Sequence, residues 1–373
     1  MPELPEVETI KRGLRKVIIG KKITCFENLD PKIIKFEPKD VEGIYIFDIE
    51  RKAKMLAFYL SRDVIPAHSA GSGQAPAGIQ ENKNGSPMSE RFSFDSRMTA
   101  TGNDKIILCH LKMTGQLIWE AYAGETEFCL KKRRGLSTEL SFESEPDGSS
   151  FRVEDRATTQ RVVGGYPSAD CLPAEAKAQA GVNKLPSAYT RAIIHFDDDS
   201  VLFFNDLRRF GYMKLYDSKD LSEIAELKKL GPEPFSDKFT VDYLMRRATK
   251  IPNRKIKQFI TDQEIISGVG NIYVDEALFY AGILPTRLVK EIKLSEWQKI
   301  RESILKALEL GIKYGGSSED TYVDAFGNQG TMSEHTKVYR RTGQACQREG
   351  CEGIVKRITL GGRGTHFCPE CQK

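Results

Sequence analysis

Met1-Pro2-Glu3-Leu4-Pro5-Glu6-Val7-Glu8 opens the chain, and the rest is read outward from it. Initiator methionine is usually trimmed when proline follows, which leaves Pro2 with a free secondary amine. An α-amino group titrates near 7.7–8.0, so about one molecule in seven carries it neutral at pH 7. A neutral amine attacks carbonyl-like carbon and forms Schiff bases. Glu3 lies beside it as a carboxyl able to give or take a proton. A proline at position 2 is by itself most often part of a frayed start. Here, however, Val7, Ile10, Leu14, Val17 and Ile18 follow at helical spacing, with Pro5 suited to a first turn and Gly20 to a stop. The pattern predicts a helix over 5–19 that holds Pro2 still.

Beyond that helix the periodicity turns to two. Strands are predicted over 22–28, 33–36, 43–50, 53–60, 105–111, 116–120, 191–196 and 201–205. Lys54 opens one of them and reads, taken alone, as a solvated edge residue. Two tracts, 62–104 and 121–188, lack sustained periodicity and read as insertions, the first rich in Ser, Gly, Ala, Pro and Asn. Residues 2–216 are therefore expected to form one β-rich domain. From 217 to 314 the pattern is helical, with candidates at 221–230, 241–249, 254–260, 270–281 and 295–314. The turn 262–269 between two helices ends in Gly268, Gly270 and Asn271, where free backbone N–H groups suit a phosphate. Residues 315–332 read as a mobile Gly-rich loop. A hairpin carrying four cysteines finishes the chain. The fold class is α+β.

With 373 residues, 40% hydrophobic and 29% charged, the chain suffices for two cores plus appendages. It contains no apolar run of membrane-spanning length. Carboxylates occupy the start where a signal peptide needs an apolar stretch, so a cytoplasmic protein without membrane attachment is expected. Net charge is only +4, but Arg246, Arg247, Lys250, Arg254, Lys255 and Lys257 crowd together with no acid among them. Such a run predicts phosphate contact. Cys346, Cys351, Cys368 and Cys371 form two close pairs near the C-terminus, which in an intracellular chain reads as a metal knot.

Together these segments resemble the formamidopyrimidine-DNA glycosylase/endonuclease VIII family. The carriers are Pro2-Glu3-Leu4-Pro5-Glu6-Val7-Glu8-Thr9, Arg51-Lys52-Ala53-Lys54 and His110-Leu111-Lys112-Met113-Thr114-Gly115. They continue with Asn205-Asp206-Leu207-Arg208-Arg209-Phe210-Gly211, Leu230-Gly231-Pro232-Glu233-Pro234, Gly268-Val269-Gly270-Asn271-Ile272-Tyr273, Gly315-Gly316-Ser317-Ser318 and Gly362-Arg363-Gly364-Thr365-His366-Phe367-Cys368-Pro369. The resemblance implies a β-sandwich catalytic domain behind the N-terminal helix (2–216), a helix-two-turn-helix domain (217–314), a lesion-capping loop (315–335) and a zinc finger (336–373). It implies a monomer acting on damaged double-stranded DNA, excising oxidised purines and then cleaving the abasic strand.

By the same resemblance, Pro2 attacks C1′ of the damaged nucleotide, Glu3 protonates the opening sugar and Glu6 supports the site. Lys54 holds a phosphate and developing charge. Because the target base must leave the stack, Met113, Arg208 and Phe210 would fill the gap. Outside that context Met113 and Phe210 read as core residues. Lys257, Asn271 and Arg363 would grip phosphates around the lesion, with Arg363 counted in the catalytic set and Tyr339 a further contact. One structural zinc would be held by Cys346, Cys351, Cys368 and Cys371. Their first spacing is two residues longer than the family's C-x-x-C but still allows tetrahedral thiolate ligation; His366 is a substitute ligand of low standing. Alternatives are an endonuclease VIII-like enzyme for oxidised pyrimidines, which Leu4 and the Arg208/Phe210 pair disfavour, and a non-catalytic zinc-finger DNA-binding protein. Binding alone does not need Pro2, Glu3 and Lys54 together.

Overall fold

The computed structural model describes residues 2–62, 105–121, 141–144, 151–154, 185–218, 223–318 and 321–373. Helix α1 (Leu4–Ile18) begins the chain with Pro5 in its first turn, and every third or fourth residue along it is apolar and buried. Strands β1 (Ile23–Asn28), β9 (Thr190–Phe196), β10 (Val201–Asp206) and β6 (Gly115–Glu120) form one sheet in the order β1-β9-β10-β6. The second sheet runs β2-β11-β5-β4-β3, from β2 (Ile34–Lys35), β11 (Tyr212–Asp217), β5 (Lys105–His110), β4 (Met55–Ser61) and β3 (Tyr45–Lys52). All neighbouring strands are antiparallel except β2 and β11. Phe26, Ile49, Leu56, Leu117, Ile194, Leu202 and Phe204 fill the space between the sheets together with the apolar stripe of α1.

The helical part contains α2 (Ala225–Lys228), α3 (Val241–Ala248), α4 (Ile256–Ile260), α5 (Asn271–Ala281), α6 (Leu294–Lys313) and α7 (Met332–His335). Of the expected helix at 221–230, the described residues 223–230 hold the four of α2 before the Gly231-Pro232 stop. Helix α5 is buried almost all round, as its lack of a polar face requires. Its core partners include Phe259, Trp297, Ile304 and, from α1, Leu4. Helix α1 thus contributes to two cores: Leu4 to the helical one and Val7, Ile10, Leu14 and Ile18 to the sandwich.

Strands β12 (Lys356–Leu360) and β13 (Arg363–Phe367) make the C-terminal hairpin. The second irregular tract holds one hairpin, β7 (Ser141–Ser144) with β8 (Phe151–Glu154), which periodicity did not signal. The first tract lies outside the described residues, as does most of the second, including the basic run 131–134.

The loop after α6 departs from the mobile segment expected. Tyr322, Val323 and Ala325 are buried, the last two at 3% and 0% exposure. Trp119 on edge strand β6 donates its backbone N–H to Ala325 O (2.8 Å), and the Trp119 ring meets Phe326 edge-on. Apolar side chains seated in the sandwich core anchor this loop.

Candidate active site

Pro2 and Glu3 lie buried where α1, the turn before α5 and the loop after α6 converge. Leu4 N donates to Gly268 O at 3.1 Å, and Glu3 N donates to Glu6 Oε2 at 2.8 Å. Glu3 Oε1 accepts from Ile272 N at 3.0 Å, placing a carboxylate at the N-terminus of α5, where the helix dipole favours negative charge. Glycine is required at 270 because a Cβ there would stand 2.2 Å from the Glu3 carboxyl carbon. The other carboxylate oxygen, Glu3 Oε2, is buried without a protein partner. One oxygen is therefore fixed and the other is left for a reacting group.

Glu6 is the hub behind this pair. Its carboxylate accepts from Glu3 N, from Tyr273 Oη (2.6 Å) and from Ser317 N (2.8 Å). Burial, with Glu3 beside it, pushes the Glu6 carboxyl above the usual range despite those three bonds. Tyr273 and Ser317 were not singled out from the sequence; both looked like ordinary motif filler.

Lys54 is 8% exposed, not the solvated edge residue that its isolated reading suggested. Burial holds its ammonium below the usual lysine range; Glu3 opposes this and Arg363 reinforces it. Lys54, Glu3 and Arg363 therefore share one electrostatic environment. The turn presenting Lys54 is built by Ala53 at φ 54°. Ala53 N donates to Glu233 Oε1 (2.8 Å), while Arg51 bridges Glu8 Oε2 (2.9 Å) and Glu233 Oε2 (2.7 Å). The Gly231–Pro234 stop thus lends a carboxylate to the catalytic sheet. His110, close by, is pushed down to about 3 by burial and then by Lys112 and Lys54, so it is neutral. Its Nδ1 accepts from Lys112 N, which leaves the proton on Nε2.

Two turns carry the wedge candidates. Met113 is 39% and Phe210 53% exposed, contrary to their isolated reading as core. Arg208 spans them, its guanidinium 3.4 Å from Met113 Sδ and 4.9 Å from the Phe210 ring centre. Buried Asp206 sets both turns: it accepts from Thr114 Oγ1, Arg208 N and Gly211 N. Arg209 adopts φ 57° between the two wedge residues and turns away to Asp30.

Asn271 donates to Gly364 O (3.1 Å) and keeps a buried, unpartnered Oδ1. Arg363 is exposed at the start of β13. Tyr339 is held through its backbone N–H by Glu276, and its ring meets His366 edge-on. Lys257 is placed differently from the phosphate contact expected of it. It is 2% exposed, paired with Asp275 at 2.7 Å, and donates to Gly364 O and Thr365 Oγ1. A buried cation survives only with such partners, so Lys257 braces the hairpin that carries Arg363. Within the basic run, Arg254 pairs with Asp262 from the following turn.

The four C-terminal cysteine sulfurs lie within 4.8 Å of one another, with Cys346–Cys371 and Cys351–Cys368 each at 3.7 Å. A zinc–thiolate tetrahedron with bonds of about 2.3 Å has edges of about 3.8 Å, so the spacing fits one zinc. Arg348 N and Gly353 N point at Cys346 Sγ and Cys351 Sγ, both 3.4 Å away. The longer first spacing is absorbed by an outward bulge with Gly350 at φ 70°. His366 faces Asp275, away from the knot. Four thiolates leave no open position, so the zinc is structural.

Comparison with known proteins gives a consistent result. Family models match along the chain: the formamidopyrimidine-DNA glycosylase N-terminal domain over 1–213, its H2TH domain over 230–323, and a zinc finger found in FPG and IleRS over 343–373. A formamidopyrimidine-DNA glycosylase of Exiguobacterium sp. is 30% identical over 378 residues, covering both chains fully, and one of Cytobacillus firmus is 32% identical over 379. Among solved structures, Lactococcus lactis FPG with Fapy-dG-containing DNA superposes at a TM-score of 0.67 and 26% identity over both full chains. A complex of the same protein with oxidized-pyrimidine-containing DNA gives 0.66 and 25%, again over both full chains.

Proposed function

The chain belongs to the formamidopyrimidine-DNA glycosylase family and is a DNA glycosylase of base-excision repair, and from this premise we propose how its own residues do the work. The trimmed Pro2 amine attacks C1′ of an extruded damaged nucleotide, and the base departs with the glycosidic electron pair. Glu3 Oε2, the unpartnered carboxylate oxygen, delivers a proton to the opening sugar. The resulting iminium acidifies C2′–H, so the 3′ phosphate and then the 5′ phosphate leave by successive eliminations. Lys54 and Arg363 stabilise the phosphate charge. Asn271 and Tyr339 contact the backbone around the lesion. Met113, Arg208 and Phe210 occupy the gap left by the base: the thioether as an adaptable filler, the ring as a wedge, the guanidinium bonded to the orphaned partner base. Damaged duplex DNA is bound by a monomer, and oxidised purines are preferred over oxidised pyrimidines.

The observation carrying this reading is the arrangement at Glu3, with one oxygen pinned to a helix N-terminus and the other buried and free beside Pro2 and Lys54. Borohydride trapping tests it. A protein with a free Pro2 amine yields a stable covalent adduct on 8-oxoguanine duplexes, with weaker turnover of thymine glycol duplexes. A version whose N-terminus is extended yields neither adduct nor cleavage. Undiminished cleavage by the blocked protein sinks the Pro2 mechanism.

A further inference from the structure

The sheet β1-β9-β10-β6 contains a buried polar chain to which nothing above gives a role, although Asn205 opens one of the motifs quoted. Thr190, Asn205 and Gln116 lie side by side on β9, β10 and β6, on the face turned away from the sandwich core, and are 4%, 2% and 7% exposed. A register shift at Phe204/Asn205 brings Thr190 opposite Asn205. The bonds run one way. Ser187 N donates to Thr190 Oγ1 (2.8 Å), Thr190 Oγ1 to Asn205 Oδ1 (2.8 Å), Asn205 Nδ2 to Gln116 Oε1 (3.5 Å), and Gln116 Nε2 to Thr321 O. Because Asn205 occupies the Gln116 carbonyl, the Gln116 amide must turn its N–H toward the loop. Four residues earlier the same loop is pinned at Ser317 N by Glu6, which also holds Glu3 N.

We propose that Thr190, Asn205 and Gln116 are positioning residues for base excision, acting through the loop backbone at Thr321. This rests on the reading of the site given above. The loop is fixed at Ser317 from the nucleophile side and at Thr321 from the sheet. If residues 315–335 cap the extruded base, as the resemblance implies, the loop's placement matters to a substrate with a base still attached and not to an abasic one. A polar ladder of this kind is costly if half satisfied, so reversing one amide disturbs the whole chain.

The test compares Gln116→Leu, which removes the donor, with Asn205→Asp, which cannot donate to Gln116 Oε1. Single-turnover excision of 8-oxoguanine should fall about tenfold in each, the loss of one to two hydrogen bonds. Duplex affinity and cleavage of a preformed abasic site should stay within about twofold, an order set by the measurement and not by a lost bond. Thr190→Val, an isosteric change at the far end, should lower excision less and covers the case in which the first two unfold. Equal losses on both substrates, or excision unchanged in all three, overturn the proposal. A parent protein that cleaves neither substrate refutes the active-site reading instead.

Discussion

Lys54 sits where an ammonium is disfavoured, at a buried turn with Arg363 in range and only Glu3 and Glu6 to offset them. Groups held for chemistry often cost stability. Lys54→Met should therefore abolish strand cleavage while leaving the melting temperature equal or higher, a gain of about 1 kcal/mol at most. A clear drop in melting temperature would show that the cation supports the fold. Glu3→Gln removes the proton donor and spares the amine. Excision of 8-oxoguanine should suffer far more than borohydride trapping on a preformed abasic site; equal losses would deny Glu3 its role as acid. Pro2, Glu3 and Lys54 stood out only through the motifs around them; read singly, Pro2 was a frayed start and Lys54 an edge residue, whereas the structure buries all three. Lys257 was misread because its environment is set from outside its own segment. Its neighbours in sequence are solvated cations, and the carboxylate that draws it inward, Asp275, lies on another helix.

At the scale of elements, the β3–β4 turn depends on a buried cluster of Arg51, Glu8 and Glu233. Burial opposes ionisation of Glu8, yet Arg51 and Lys11 outweigh it and hold its carboxyl below the ordinary 4.5. Its stabilisation is complete above that value and is lost as pH falls through the lower folded pKa. Melting curves from about pH 5 to about pH 3 should show this loss, and Arg51→Met should flatten it while costing about 3–5 kcal/mol at neutral pH. A pH slope unchanged in that variant would remove the pair from the account. The zinc hairpin is the second such element: Cys368→Ser should release the metal and weaken duplex binding, since Arg363 rides on the braced strand. Retained zinc with unchanged affinity would contradict it. Strand boundaries were largely evident from alternation, whereas the Thr190–Asn205–Gln116 chain was not. Each is a single polar residue near a strand end, where polar residues are ordinary, and only the neighbouring strands and the docked loop reveal that these three are enclosed.

On the scale of the molecule, the residues brought together at the site come from α1, β3–β4, the turns beside β6 and β11, α5, the loop after α6 and β13. Among the described residues, none comes from the tracts 64–103 or 124–186. Replacing both by short linkers should leave a folded protein that still cleaves abasic DNA; loss of cleavage in a folded variant would mean a tract has been recruited to the site. The order of synthesis adds a constraint of its own. Synthesis runs from N- to C-terminus, so the proposed nucleophile is made well before the groups that hold its neighbours: Gly268 O on Leu4 N, Ile272 N on Glu3 and Ser317 N on Glu6. Leu4 likewise waits for a core built from Phe239 to Met332. A chain cut short before Gly268 therefore keeps Pro2 but lacks every one of these groups, and the site can assemble only once Ser317 has been made.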